Sequence, residues 1–435
     1  MKSTISSLHI IFFITLIQTI VSNKTENIDN IDNLVPTVLY SFNDSITFKG
    51  NITYNDCIPS IIRKNSDGDT FISLIKKDSS TCPVFAKLIH SESSNTTYFE
   101  EWPQNENVSF TSITNFEIGK NDSLFILDQA SLVIFSKSGE LINMIDLSNY
   151  IDITNYYLSD IVLDVKNNYA YISNSISYTT DSPTTSPQLI IVKYTLNKTE
   201  PISGNSIKTY THKSFYPDKS LWLHINNNPV SSESPIRIGL ASLAINCNYE
   251  YLYYSPLTSH KIFSIPLENI FDFDELPEPT EAYKGFSSSS LLMSGKDHLY
   301  LTDLDHSLIR QYRMLTDLEE IEYQNILPFK FDHKDKYLWP SSMTIVDNQL
   351  YYISNNYHLF MSDNKIAVNI LNISIESDDS YVNGCSYEKF AWDYRNIIMW
   401  FLFGVLILIV LSFVLMSSHK QEESVNKIEK GALID

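Results

Sequence analysis

Along most of this chain short apolar runs alternate with polar turns, and the alternation repeats on a longer scale. The unit is an apolar strand containing Ser or Thr, a turn of Asn, Asp or Lys, and a second strand carrying aromatics. Its instances are "SITNFEIGKNDSLFILD" (112–128), "DIVLDVKNNYAYISN" (160–174), "SLAINCNYEYLYYSP" (242–256), "SLLMSGKDHLYLTD" (290–303) and "SMTIVDNQLYYISN" (342–355). A weaker member is "PSIIRKNSDGDTFISLI" (59–75). The second-strand aromatics are Phe71, Phe125, Tyr171, Tyr253, Tyr300 and Tyr352. Most of their spacings approach the roughly 40–50 residues of a four-stranded propeller blade. The long step from Tyr171 to Tyr253 holds polar insertions at 179–187 and 206–235. Unrelated hairpins of a β-sandwich are the alternative, and the near-regular spacing argues against them. Six units predict an all-β, six-bladed β-propeller. The apolar segment 35–42 precedes the first unit and is placed to complete the last blade.

Two apolar runs fall outside the repeat. Lys2 precedes one from Ile10 to Ile20, with small Ser22 after it, the layout of a signal peptide over 1–22. The other, 397–416, carries no charge. At about 1.5 Å per residue it covers the roughly 30 Å of a bilayer core. Trp392, Tyr394 and Trp400 lie near one end, as interfacial aromatics do, and His419 and Lys420 follow the other. The expectation is a single-pass type I membrane protein of the plasma membrane or secretory pathway. It has a propeller ectodomain over 23–390, one C-terminal transmembrane helix and a cytoplasmic tail over 417–435.

The segment between the runs carries every feature of an oxidising, glycosylating compartment. Sequons occur at Asn23, Asn43, Asn51, Asn95, Asn107, Asn121, Asn197 and Asn372, and none lies in the tail. Four cysteines, Cys57, Cys82, Cys247 and Cys385, suggest two disulfides, with three pairings open. Cys57–Cys82 closes the shortest loop and is the first choice, leaving Cys247–Cys385. The formal charge of −20 argues against a nucleic-acid partner, which calls for clustered Lys and Arg. It reads as a soluble acidic surface, with attraction of cationic ligands as the functional alternative.

The later units resemble the yellow / major royal jelly protein family. In "ASLAINCNYEYLYYSPLTSHKIFSIPLENI" (241–270) the matching positions are Tyr253, Tyr254, Ser255, Pro256, Leu257, Ser259, Pro266 and Leu267. "LSDIVLDVKNNYAYISNS" (158–175), "SLFILDQASLVIFSKSGELINMIDL" (123–147) and "YLWPSSMTIVDNQLYYISNNYHLF" (337–360) resemble other blades, the last retaining Trp339, Pro340 and Asn355. The likeness spans about 35–360 and implies six blades. Departures are Phe125 for a usual Trp, Ala130 for a Gly, and Ser341 and Ser342 after Trp-Pro. The resemblance also implies two activities found among relatives, dopachrome-type isomerisation and binding of biogenic amines. No motif here marks residues for either.

In a meander the first strand starts, and the second ends, on one face. That places Ser112, Asp160, Asn174, Ser242, Ser290, Ser342 and Asn355 around one mouth of the central tunnel, as candidate contacts for a small polar or cationic ligand. A lactonase-like, metal-dependent hydrolase requires several converging carboxylates. Only Asp160 holds an inner position, since Asp128 and Asp303 end second strands, so no metal and no cofactor are expected. GxSxG is absent, and His224, His260, His298, His306 and His333 are scattered. His212 and His224 lie in the inserted segment. Trp339 suits either ligand stacking or a place in the blade core. The acidic stretch 271–281 reads as a solvated loop or a docking site for an unidentified protein. The reading is a membrane-tethered binding or recognition propeller. An enzyme, isomerase or hydrolase, is the rival.

Overall fold

The computed structural model describes residues 37–41, 47–48, 57–76, 82–91, 96–104, 108–151, 157–178, 186–198, 206–231, 236–295, 298–314, 321–324, 339–346, 348–355, 368–375 and 402–403. The signal segment, most of 397–416 and the tail lie outside these, as do Cys385 and the sequons Asn23, Asn43, Asn51, Asn95 and Asn107. Leu402 and Phe403 are helical. No helix among the described residues is long and apolar enough to cross a membrane.

Six sheets form six blades; in each the innermost strand opens the run of successive strands, and blades 1 and 6 also take a strand from earlier in the chain. The innermost strands are Cys57–Lys64, Ile113–Ile118, Tyr157–Asp164, Leu240–Ile245, Leu291–Met293 and Trp339–Val346. Blade 1 carries a fifth strand, Thr47–Phe48, parallel to Thr96–Glu101. Each innermost strand packs beside the next, and Trp339–Val346 returns to Cys57–Lys64, so the ring is closed. The closure is a clasp. Thr37–Ser41, from the start of the described chain, pairs antiparallel with Val368–Ser374 as the outermost strand of blade 6. Within the segment expected at 35–42, residues 37–41 complete the last blade.

The inner strands are apolar runs because both their faces are covered. Leu240–Ile245 is buried at every position. One apolar cluster fills each gap between neighbouring blades, including the gap from blade 6 to blade 1. Phe71, Phe125, Tyr171, Tyr253, Tyr300 and Tyr352 are all 1% exposed or less. The first five fill the gap between their own blade and the next. Large planar side chains suit this wedge, since they bury much area while costing little rotamer freedom. The polar turns joining first and second strands have their own cause. Gly68, Asn168, Tyr249 and Asn348 take left-handed backbone there, which Gly and Asn adopt most readily. Cys57 and Cys82 form a disulfide in blade 1, and no cysteine among the described residues is a free thiol.

Candidate functional site

The wall of the tunnel is built from edge strands whose N–H groups have no ladder partner on the axial side. Such groups are costly when buried and unpaired. Side chains supply the acceptors. Asn115 Oδ1 takes the Phe116 N–H at 2.7 Å, Glu117 Oε1 that of Ile118 at 2.9 Å, and Asp160 Oδ1 that of Ile161 at 2.9 Å. Acceptors also reach across blades. Ser342 Oγ accepts from Ile62 N at 3.2 Å, and Asp160 Oδ2 from Leu243 N at 2.8 Å.

These contacts join into a polar belt. From blade 1, Arg63 donates to Glu117 Oε2 of blade 2 at 2.9 Å and to Ser342 Oγ of blade 6 at 2.9 Å. From blade 2, Asn115 Nδ2 donates to Asp160 Oδ1 of blade 3 at 2.9 Å. Asp160 in turn holds blade 4 through Leu243. Burial pushes the Asp160 carboxyl up to about 7, against the hydrogen bond from the Leu243 N–H and the attraction of Arg63. Three N–H donors already occupy its two oxygens. Among the described residues no group of three His, Cys, Asp or Glu converges to hold a metal.

The residues singled out from the sequence divide by position. Asp160, Asn174, Ser242, Ser342 and Asn355 are buried, Ser290 is half-buried and Ser112 is exposed. Asn355 Nδ2 donates to Pro59 O at 3.1 Å, tying blade 6 to blade 1. Asn174 works within blade 3, donating to Gln188 Oε1 at 3.0 Å. Ser112 N and Ser290 N are anchored by Asp128 Oδ1 and Thr302 Oγ1. Ser242 Oγ donates to Ser255 O at 3.5 Å.

Strand counting missed the β-bulges. Five inner strands carry one near the start, at Ser60, Thr114, Ser159, Ala241 and Ser341. The extra residue breaks the two-residue period. The hydroxyl residues at these bulges, with Ser289 in blade 5, are half-buried, while Asn115, Asp160, Ser242 and Ser342 just after the bulge turn inward and are buried. Ser341 Oγ donates to Ser60 O at 2.9 Å, Ser159 Oγ to Leu240 O at 3.4 Å and Ser289 Oγ to Pro340 O at 2.9 Å, each to the following blade. Arg63 and Glu117 were also missed. Their signal was two opposite charges within apolar strands of adjacent repeats, facing Phe71 and Phe125 across the pairing.

The inserted segment lies over this end of the ring. It leaves the outermost strand of blade 3, Ile207–Tyr210, and hydrogen-bonds to the turns of blades 4 and 5. Asp218 N donates to Thr258 O at 2.9 Å, Asn226 N to Leu304 O at 2.9 Å and Asn227 N to Asp305 O at 2.8 Å. Beside it Lys284 is buried against Ser259 O and Phe286 O, and burial pulls its ammonium down to about 7 despite Asp305 and Asp303. His306 Nδ1 sits 2.9 Å from Asp303 Oδ2, and Arg310 Nε donates to the same oxygen at 2.7 Å. Trp339 donates from Nε1 to Ser289 Oγ at 2.9 Å and packs against the insertion. The sequons Asn121 and Asn197 lie exposed in turns of the opposite face, and Asn372 is in the third strand of blade 6.

Six blades, an N-terminal clasp and a polar belt around the axis define a six-bladed β-propeller. The major royal jelly protein family profile matches residues 126–380, more than half of the chain, and the protein belongs to that family. No curated protein sequence matches it. Among solved structures, a luciferin-regenerating enzyme aligns over 77% of this chain and 96% of its own, at 9% identity and a TM-score of 0.45. Regucalcin, a calcium-binding protein from Agrobacterium tumefaciens, aligns over 78% and 99%, at 9% identity and 0.43. A putative gluconolactonase aligns over 75% and 93%, at 8% identity and 0.40. Family membership and the disulfide point to the secretory pathway.

Proposed function

We propose that this protein is an extracellular binding propeller, tethered by segment 397–416, that takes a small polar or cationic organic molecule at its tunnel mouth. The observation that carries the reading is the ring of bulged strand starts. It gathers the half-buried hydroxyl residues Ser60, Ser159 and Ser341, with Ser289 of the unbulged blade 5, at one end of the tunnel. Ser112 and Ser290 add polar groups at the same end. Asp160 stands behind this ring and ties blades 2, 3 and 4 together, giving it rigidity. The net charge of −20 favours a cationic guest. Calorimetric titration of the glycosylated protein with serotonin, dopamine and histamine tests this. Saturable heat that weakens in Ser159→Val supports it, and absence of heat with all three amines overturns it.

One arrangement favours the enzyme reading. The fully buried Asp303 orients the half-exposed ring of His306, as a carboxylate orients a general base. Arg310 shares that carboxylate and draws on its charge. Turnover of dopachrome that disappears in His306→Gln would move the assignment to an isomerase.

A further inference from the structure

We propose that the inserted segment is a fixed cap over the tunnel mouth at blades 4 and 5. The first observation is an apolar cluster separate from the six that join the blades. Leu223 of the insertion packs with Ala241, Leu257 and Leu304, and Val230, Ile236, Ile238 and Trp339 close around them. Ala241 is the bulge residue of blade 4, and Leu257 and Leu304 belong to the upper turns of blades 4 and 5. Trp339 begins the inner strand of blade 6. The cluster therefore runs from the tunnel wall of blade 4 toward blade 6, across the side where blade 5 stands.

The second observation is the pattern at the bulges. The bulge residues Ser60, Ser159 and Ser341, in blades 1, 3 and 6, keep a hydroxyl and remain half-buried. Ala241 has none and is 4% exposed. A hydroxyl beneath Leu223 would be buried without water, at a desolvation cost. Ala is what that position requires if the cover is permanent. The third observation is the backbone. The bonds from Asp218, Asn226 and Asn227 to blade 4 and 5 carbonyls are joined by Leu257 N to Gly239 O at 3.0 Å and Thr258 N to Ile238 O at 3.1 Å. Both ends of the insertion are thus laced to the blades beneath. Away from the cap, Ser112 and Tyr157 are exposed.

What the cap is for rests on the tunnel-mouth reading above, but its existence does not, and the test uses no ligand. Ala241→Cys and Ser60→Cys are made separately in the full-length protein, and each new thiol is alkylated with a membrane-impermeant maleimide under native conditions. The Cys at 241 is expected to react about tenfold or more slowly than that at 60, because it must await local opening of the cap. Adding Leu223→Ser to Ala241→Cys brings the two rates together, and Leu223→Ala serves where the serine variant is not secreted. Equal rates at 241 and 60 in the parent fold, or no acceleration by either change at 223, overturn the cap. A shielded Cys at 241 together with a silent amine titration keeps the cap and removes only the ligand.

Discussion

At the scale of single residues, the tunnel wall is held by charge placed where water is scarce. Asp160 accepts three N–H donors from three blades, yet its burial raises the carboxyl from its ordinary 3.8 to about 7. The unfolded chain releases that proton near 3.8, and the folded one retains it up to about 7. The stability this gives is fully present below the lower value and is lost as pH rises through the upper. Relative to Asp160→Asn, the wild type should lose stability between pH about 4 and 7, by at most about 1.4 kcal/mol per pH unit. Denaturant melts of both proteins at several pH values measure the slope, and parallel curves refute it. Arg63 is a second case. Its partner Glu117 is buried, so Arg63→Met strands a carboxylate and should cost about 3–5 kcal/mol. The Arg63→Met, Glu117→Leu double variant should recover much of that in the same melts.

At the scale of elements, the β-bulge decides which side chains meet the tunnel. Ser159 and Asp160 are equally good candidates in the sequence, because a strand read with strict alternation gives no sign of where the extra residue falls. Pairing with the second strand settles it, and pairing is a tertiary fact. The cap has a similar history. Its polar composition reads as a loop, and the few apolar residues that hold it, Leu223, Val230 and Ile236, have no period to mark them. Gly239, where the cap rejoins blade 4, is a point of close contact. A Cβ there would lie 2.8 Å from Pro187 Cγ and 2.9 Å from Phe215 O. A carbonyl in a packed turn gives way poorly, so Gly239→Ala should cost about 1–3 kcal/mol. It should also quicken alkylation of a Cys at 241. An unchanged melting midpoint would show that the cap shifts freely.

At the scale of the whole molecule, stability depends on closing the ring. Thr37–Ser41 is the only described strand that joins the two ends of the propeller's chain. Without it the edge of Val368–Ser374 is bare, and blades 6 and 1 can part. Deleting 37–41 behind an intact signal segment should abolish single-transition unfolding and leave an aggregation-prone edge. A deletion variant that melts in one transition at the wild-type temperature would show that the clasp is dispensable. Much of this architecture was legible in the sequence. The recurring aromatics, the six units, the completing strand Thr37–Ser41 and the Cys57–Cys82 pair all appear in the fold. They are set by local composition and by a period that repeats along the chain, so neighbouring residues suffice to reveal them. The belt of Arg63, Glu117, Asn115 and Asp160, the bulged hydroxyls and the cap were decided by tertiary structure. Each depends on groups from different blades meeting at the axis, where unpaired edge N–H groups and excluded water determine which polar side chain serves as a partner.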